Sequence, residues 1–205
     1  MKTLIKICGL TTQESVDVAV QSGADLIGFV FAKISPRCIS SEQARQLSES
    51  IPEQVKTTAV MLHPSDNEVK EVFDEFPADY LQTDAKDFES LNLPEGCRPL
   101  KVYRDLPQFN PNEIDPNELS LFEGKNSGVE ELVNMDRAAD VAHHAPIILA
   151  GGLNPSNVAN VLQAVQPQGV DVSSGVESKP GIKDVQKIRD FINIVRDYDA
   201  MEPRA

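Results

Sequence analysis

Positive charge is in short supply. The 205-residue chain carries 19 Lys and Arg against 32 Asp and Glu, a formal net charge of -13. Neutralising a nucleic-acid backbone takes clustered cationic side chains, so no nucleic-acid partner is expected. A small anionic substrate is not excluded, because backbone amides and one local arginine can bind phosphate or carboxylate within an acidic protein. Long apolar runs are also missing. None approaches the roughly 20 residues of a membrane span, and Lys6 interrupts the first apolar stretch, so neither a membrane segment nor a secretory signal is expected. Three cysteines, Cys8, Cys38 and Cys97, form an odd set at wide spacing, which suggests neither a disulfide framework nor a zinc site. These absences point to a cytoplasmic protein. The remaining composition, 40% apolar and 25% charged, suits an ordinary globular chain with a sizeable core.

What is present is a rhythm. Short β-rich runs alternate with helical patterns: TLIKIC then TTQESVDVAVQSG, DLIGFVF then SSEQARQLSESI, KTTAVML then SDNEVKEVFDEF, and ADYLQT then a weak helix around residues 86–91. The second half continues with RPLKVYR, ELSLFEG, PIILAGG and GVDVSSG as strands, and with helices over 137–143, 155–165 and 183–197. The stretch DLPQFNPNEIDPNE after the fifth strand is too rich in proline and asparagine for a good helix. Serine at position 40 or 41 caps the second helix, Ser65 or Asp66 leads the third, and Pro155 lies at or near the first turn of the helix that follows strand seven. Eight strand–helix units with no linker between them predict one (β/α)8 barrel over residues 1–199, with a frayed tail at 200–205. The alternative, an open doubly wound sheet, calls for a GxGxxG fingerprint after the first strand, and CGLTTQ is not one.

A barrel of this kind carries its active site at the C-terminal ends of its strands. Those ends supply a thiol at Cys8, a carboxylate at Glu123, and two small-residue turns, Gly151-Gly152 and Ser173-Ser174-Gly175. The turns close strands seven and eight, where such barrels often bind phosphate through backbone N–H groups. Two tight turns with no ligand are the plain alternative. On the first strand, Leu4, Lys6 and Cys8 share one face and Ile5 and Ile7 the other, so a lysine lies one pleat below the thiol.

The segments KICGLT (6–11), GFVFAKISPR (28–37), LAGGLNPSNV (149–158) and GVDVSSGVESKPGIKD (169–184) together resemble the phosphoribosylanthranilate isomerase family of tryptophan biosynthesis. The resemblance runs the length of the chain and implies a (β/α)8 TIM barrel with a reduced helix five. It also implies an Amadori rearrangement: a furanose opens to an iminium, a proton leaves the sugar C2′, and the enol yields a 1-deoxyribulose phosphate. Cys8 would be the general base and Glu123 the general acid, in place of the family's aspartate. Arg37 would hold the anthranilate carboxylate, and Asp171 would contact the open-chain sugar. Gly151, Gly152, Ser174 and Gly175 would bind phosphate. No cofactor or metal is implied, and the partner would be a phosphorylated small molecule bound by a monomer or homodimer.

Two expectations follow for the reacting groups. A thiolate base at Cys8 calls for a pKa below the ordinary value of about 8.5, partly through Lys6. A proton held on Glu123 calls for apolar surroundings. The chain departs from the family at Gln82-Thr83-Asp84-Ala85, where QLHG is common, and in SGVEELVNMD, where Glu130 replaces a glycine and Asn134-Met135 an Asp-Trp pair. Of the histidines, His63 ends strand three and could face the pocket, whereas His143 and His144 read as the polar end of a helix. A barrel of the indole-glycerol-phosphate synthase type would share the phosphate turns but needs catalytic lysines and a glutamate that KICGLT does not supply. A non-enzymatic phosphate binder would have no use for a base.

Overall fold

A computed structural model describes residues 2–125 and 133–201. Eight parallel strands close into a barrel in chain order: β1 (Leu4–Cys8), β2 (Leu26–Val30), β3 (Lys56–Val60), β4 (Tyr80–Asp84), β5 (Arg98–Arg104), β6 (Ser120–Glu123), β7 (Ile147–Leu149) and β8 (Gly169–Val172). The seam is made by β1 against β8, with Lys6 beside Asp171 and Ile7 beside Val172. The chain is thus the single (β/α)8 barrel its alternation predicts.

Period-two strands sort the side chains into two cores. Ile5, Ile7, Ile27, Phe29, Leu81, Phe122 and Val170 point outward and are buried beneath the helices. Leu26, Tyr80, Leu100, Val102, Leu121 and Ile148 point inward and fill the barrel. The helices α1 (Gln13–Ser22), α2 (Ser41–Ser48), α3 (Asp66–Glu75), α4 (Met135–His144), α5 (Val158–Val165) and α6 (Val185–Met201) cover the outer face. Ser40 and Ser65 cap α2 and α3, each in a capping box with Gln43 and Glu68, an arrangement that satisfies two amides otherwise without partners.

The reduced fifth helix is found as the proline content predicts: between β5 and β6 there is only the 3₁₀ turn Pro111–Glu113. Differences from the sequence reading have local causes. The weak fourth helix is a 3₁₀ segment, Ala85–Glu89. Pro155 lies in the turn just ahead of α5, near its first turn as expected, and the helix itself begins at Val158. The closing helix begins at Val185 because a small antiparallel hairpin, β9 (Glu177–Lys179) and β10 (Ile182–Lys183), occupies the stretch before it. It then runs to Met201, so the first two residues of the expected tail are helical. The departure at Glu130 lies outside the described residues.

Candidate active site

A cleft of about 380 Å³ opens at the C-terminal ends of the strands, and Cys8, Arg37, Glu123, Gly151, Gly152, Asp171 and Ser174 all line it. Of the residues assigned to the site from sequence, Gly175 is not on its wall. His63 is also off the wall; it is exposed, with Nδ1 3.0 Å from Asp87 Oδ1. His143 and His144 sit in the last turn of α4, as read from sequence.

On the β1–β8 seam, Lys6 is wholly buried, and its Nζ donates to Asp171 Oδ1 at 2.7 Å. Asp171 therefore faces the cleft as one half of a buried ion pair. Cys8 stands one pleat above Lys6, itself buried. Gly28 on β2 makes the room: a Cβ there would lie 3.0 Å from Cys8 Sγ and 3.2 Å from Lys6 Nζ. The expected drop in the thiol pKa is not found. Burial pushes Cys8 above its ordinary value, and the nearby Lys6 and Lys183 ammonium groups offset this only in part, with Asp171 adding to the rise.

Across the cleft, Glu123 ends β6 beside Arg104, its register partner at the end of β5. Arg104 Nη1 donates to Glu123 Oε1, and its Nη2 donates to Asp84 Oδ1 at 2.6 Å. The expectation of apolar surroundings for Glu123 is corrected by this pair. Its pKa is nonetheless raised: burial pushes it up, Arg104 opposes, and Asp171 and Asp84 add to the rise. Asp84 is one of the chain's departures from the pattern it resembles, and Arg104 is what ties it to Glu123.

Arg37 approaches from the loop after β2. Its Nε and Nη2 donate to Glu177 Oε1 and Oε2 at 2.6 and 2.9 Å, a bidentate pair. Gly9 has a φ of +74°, and a Cβ there would lie 2.6 Å from Arg37 Cδ, so the missing side chain is the bed on which the arginine stem lies.

The two phosphate-type turns meet. Gly151 and Gly152 have φ of 92° and 63°, conformations that suit glycine. A Cβ on Gly175 would run into the Leu153 carbonyl oxygen, so only glycine lets the turn after β8 pack on the turn after β7. Asn157 braces the latter, donating to Gly152 O at 2.8 Å and accepting from the Asn154 amide at 2.8 Å. The amides of Gly151, Gly152, Ser174 and Gly175 donate to no other described residue. Such N–H groups at touching turns have the chemistry that an anion's oxygens require. Among the described residues, no group of His, Cys, Asp or Glu is arranged to hold a metal ion, and no helix is long and apolar enough to cross a membrane.

Sequence reasoning did not weigh Arg104, Glu177 or Lys183. Their signals were a charged strand end and the VE and PGIKD segments, whose partners lie far away in the chain.

A thiol, a carboxyl group and two glycine-containing turns around one barrel mouth define an enzyme of the (β/α)8 class. The particular family follows from comparison with known proteins. Residues 5–194 match the family model for N-(5'phosphoribosyl)anthranilate (PRA) isomerase. The N-(5'-phosphoribosyl)anthranilate isomerase of Streptococcus mutans is 39% identical, with 95% of this chain and 99% of that protein covered. The Chlorobaculum parvum enzyme is 34% identical, with 97% of each covered. The Thermus thermophilus phosphoribosyl anthranilate isomerase structure superposes with a TM-score of 0.82 at 29% identity, covering 95% of this chain and 99% of that one. A further structure of the family, in complex with reduced 1-(o-carboxyphenylamino)-1-deoxyribulose 5-phosphate, gives 0.77 at 28% identity, with the same coverage. The chain belongs to the phosphoribosylanthranilate isomerase family.

Proposed function

We propose that this chain converts N-(5-phosphoribosyl)anthranilate to 1-(2-carboxyphenylamino)-1-deoxyribulose 5-phosphate in tryptophan biosynthesis, with Cys8 as general base and Glu123 as general acid. The observation that carries the reading is that both groups line one cleft between two anion sites, the amide cradle and Arg37. Phosphate on the cradle and the aryl carboxylate on Arg37 would hold the sugar between them, which turns proton transfer into an intramolecular event.

Glu123, its proton favoured by burial, gives that proton to the furanose ring oxygen as the C1′–O bond breaks and the iminium forms. Cys8 thiolate then takes the C2′ proton, and the electron pair of that C–H bond neutralises the iminium. The resulting enol tautomerises to the ketone. The raised thiol pKa makes the thiolate a minority species but a stronger base once formed. Lys6 beneath it favours the charged form, and Asp171 keeps Lys6 in place while facing the open-chain sugar. Every residue named comes from one chain, so the reading holds for a monomer or a homodimer. It requires no cofactor and suits a cytoplasmic enzyme with free thiols.

The test is turnover. Phosphoribosylanthranilate made in situ should be consumed, with loss of its anthranilate-type fluorescence. Folded protein that leaves the signal unchanged would overturn the proposal.

A further inference from the structure

The hairpin that interrupts the last strand–helix connection is placed to act on Arg37. Glu177, at the start of β9, is 7% exposed and carries four donors. These are Arg37 Nε and Nη2, Lys183 Nζ at 2.9 Å, and the Gly181 amide at 3.1 Å. Lys183, with 2% of its side chain exposed, spends its other bonds on Ser173 O at 2.8 Å and Ser173 Oγ at 3.2 Å. Ser173 Oγ in turn donates to Cys8 O at 3.0 Å. The hairpin is thereby fastened to the end of β8 and, through it, to the end of β1.

Its turn packs closely against the Arg37 loop. Gly181 has a φ of +80°, and a Cβ there would lie 2.5 Å from Pro36 O. The PGIKD segment thus supplies the close approach at Gly181 and the buried cation at Lys183. Both serve the same carboxylate.

We infer that Glu177 is a positioning residue: it grips Arg37 through Nε and Nη2 and turns the remaining Nη1 edge toward the substrate's carboxylate. A guanidinium on a flexible stem would otherwise sample many rotamers, and a fork-to-fork pair removes that freedom before the ligand arrives. Burial alone would raise the Glu177 pKa; the bonds from Arg37 and Lys183 outweigh it and hold the group below the usual carboxylate range, so it stays an acceptor. Two cations around one carboxylate leave a single net positive charge, which matches one ligand carboxylate. This inference rests on the reading that Arg37 binds the aryl carboxylate.

A double-mutant cycle on the full chain tests it, with KM and kcat read separately for Glu177→Gln, Arg37→Ala and the double variant. Glu177→Gln should raise KM about tenfold or more, the scale of a lost charged hydrogen bond, with a smaller change in kcat. It should add little in the Arg37→Ala background, because its effect passes through Arg37. Glu177→Asp, which keeps the charge on a shorter arm, should recover part of the loss and serves as the second variant if the glutamine protein folds poorly. Additive effects of Glu177→Gln and Arg37→Ala would overturn the positioning role alone. An unchanged KM in Arg37→Ala would instead overturn the carboxylate reading on which it rests.

Discussion

Lys6 Nζ and Asp171 Oδ1 are 2.7 Å apart on neighbouring strands, and the lysine side chain has no exposed surface. The pair closes the barrel seam directly beneath the thiol. Removing one partner leaves the other charged and buried, which typically costs about 3–5 kcal/mol. Asp171→Asn should therefore lower stability by an amount of that order in urea or guanidinium unfolding. A loss under about 1 kcal/mol would show that the site hydrates easily and that the pair is a surface-type bridge.

For Cys8, a serine variant should lose kcat by about 10²-fold or more with an unchanged circular dichroism spectrum. Because burial raises the thiol pKa, alkylation of Cys8, read against Cys38 and Cys97 in the Cys8→Ser variant, should climb with pH through neutrality and level off only above the ordinary thiol value of about 8.5. An alkylation rate already flat at neutrality would contradict the buried, elevated thiol.

Glu123→Gln keeps size and hydrogen bonding but cannot give up a carboxyl proton, so kcat should fall while KM holds. Arg104→Met removes the cation that opposes the raised pKa, so the limb of the pH–rate profile that the acid sets should move to higher pH. A limb that stays in place would mean that Glu123 is not the acid and would turn attention to Asp171.

Glu177 makes a prediction about stability. A carboxyl group with a lower pKa folded than unfolded contributes stability above its unfolded value, about 4.3 for Glu, and loses it as pH falls through the folded value. Melting temperatures measured from about pH 6 down to pH 3 should fall less steeply in Glu177→Gln than in wild type. Parallel curves would refute this.

Gly175→Ala would push a methyl group into Leu153 O. The turn after β8 must then separate from the turn after β7, and phosphate-competed activity should weaken well before the fold does. Inhibition by inorganic phosphate reads this directly: its inhibition constant should rise at least several-fold, and an unchanged constant would place the anion elsewhere.

The barrel was legible because its signals are local and repeated: strand runs, serine caps, glycine stops. The mouth was legible where one residue's position suffices, as for Cys8 at a strand end or the glycine turns. What escaped depends on pairing across the chain. Arg37 looked like a free anchor because Glu177 lies 140 positions away. Apolar surroundings were expected for Glu123 because the flanking Phe122 points out of the barrel, while Arg104 on the neighbouring strand points in. The thiol pKa was misjudged because the Lys6 charge is visible in sequence and the depth of burial is not. The hairpin is not legible, because the sequence pattern assigns residues 176–182 to no element and nothing local to them announces a carboxylate with four donors.

The seam between β1 and β8 also dictates an order of events during synthesis. Lys6 leaves the ribosome 165 positions ahead of its counterion. Until then β1 is an unpaired sheet edge bearing a cation that cannot be buried without cost. The last helix adds a further lock at the opposite end, where Arg196 donates to Thr3 O and Gly23 O, both at 2.7 Å. A chain released early therefore lacks one flank of the reaction centre, the partner of its deepest charge, and the clasp on its first strand. Ring closure is a single event that licenses the fold and the chemistry together, so truncated products should be inert and readily recognised by proteases.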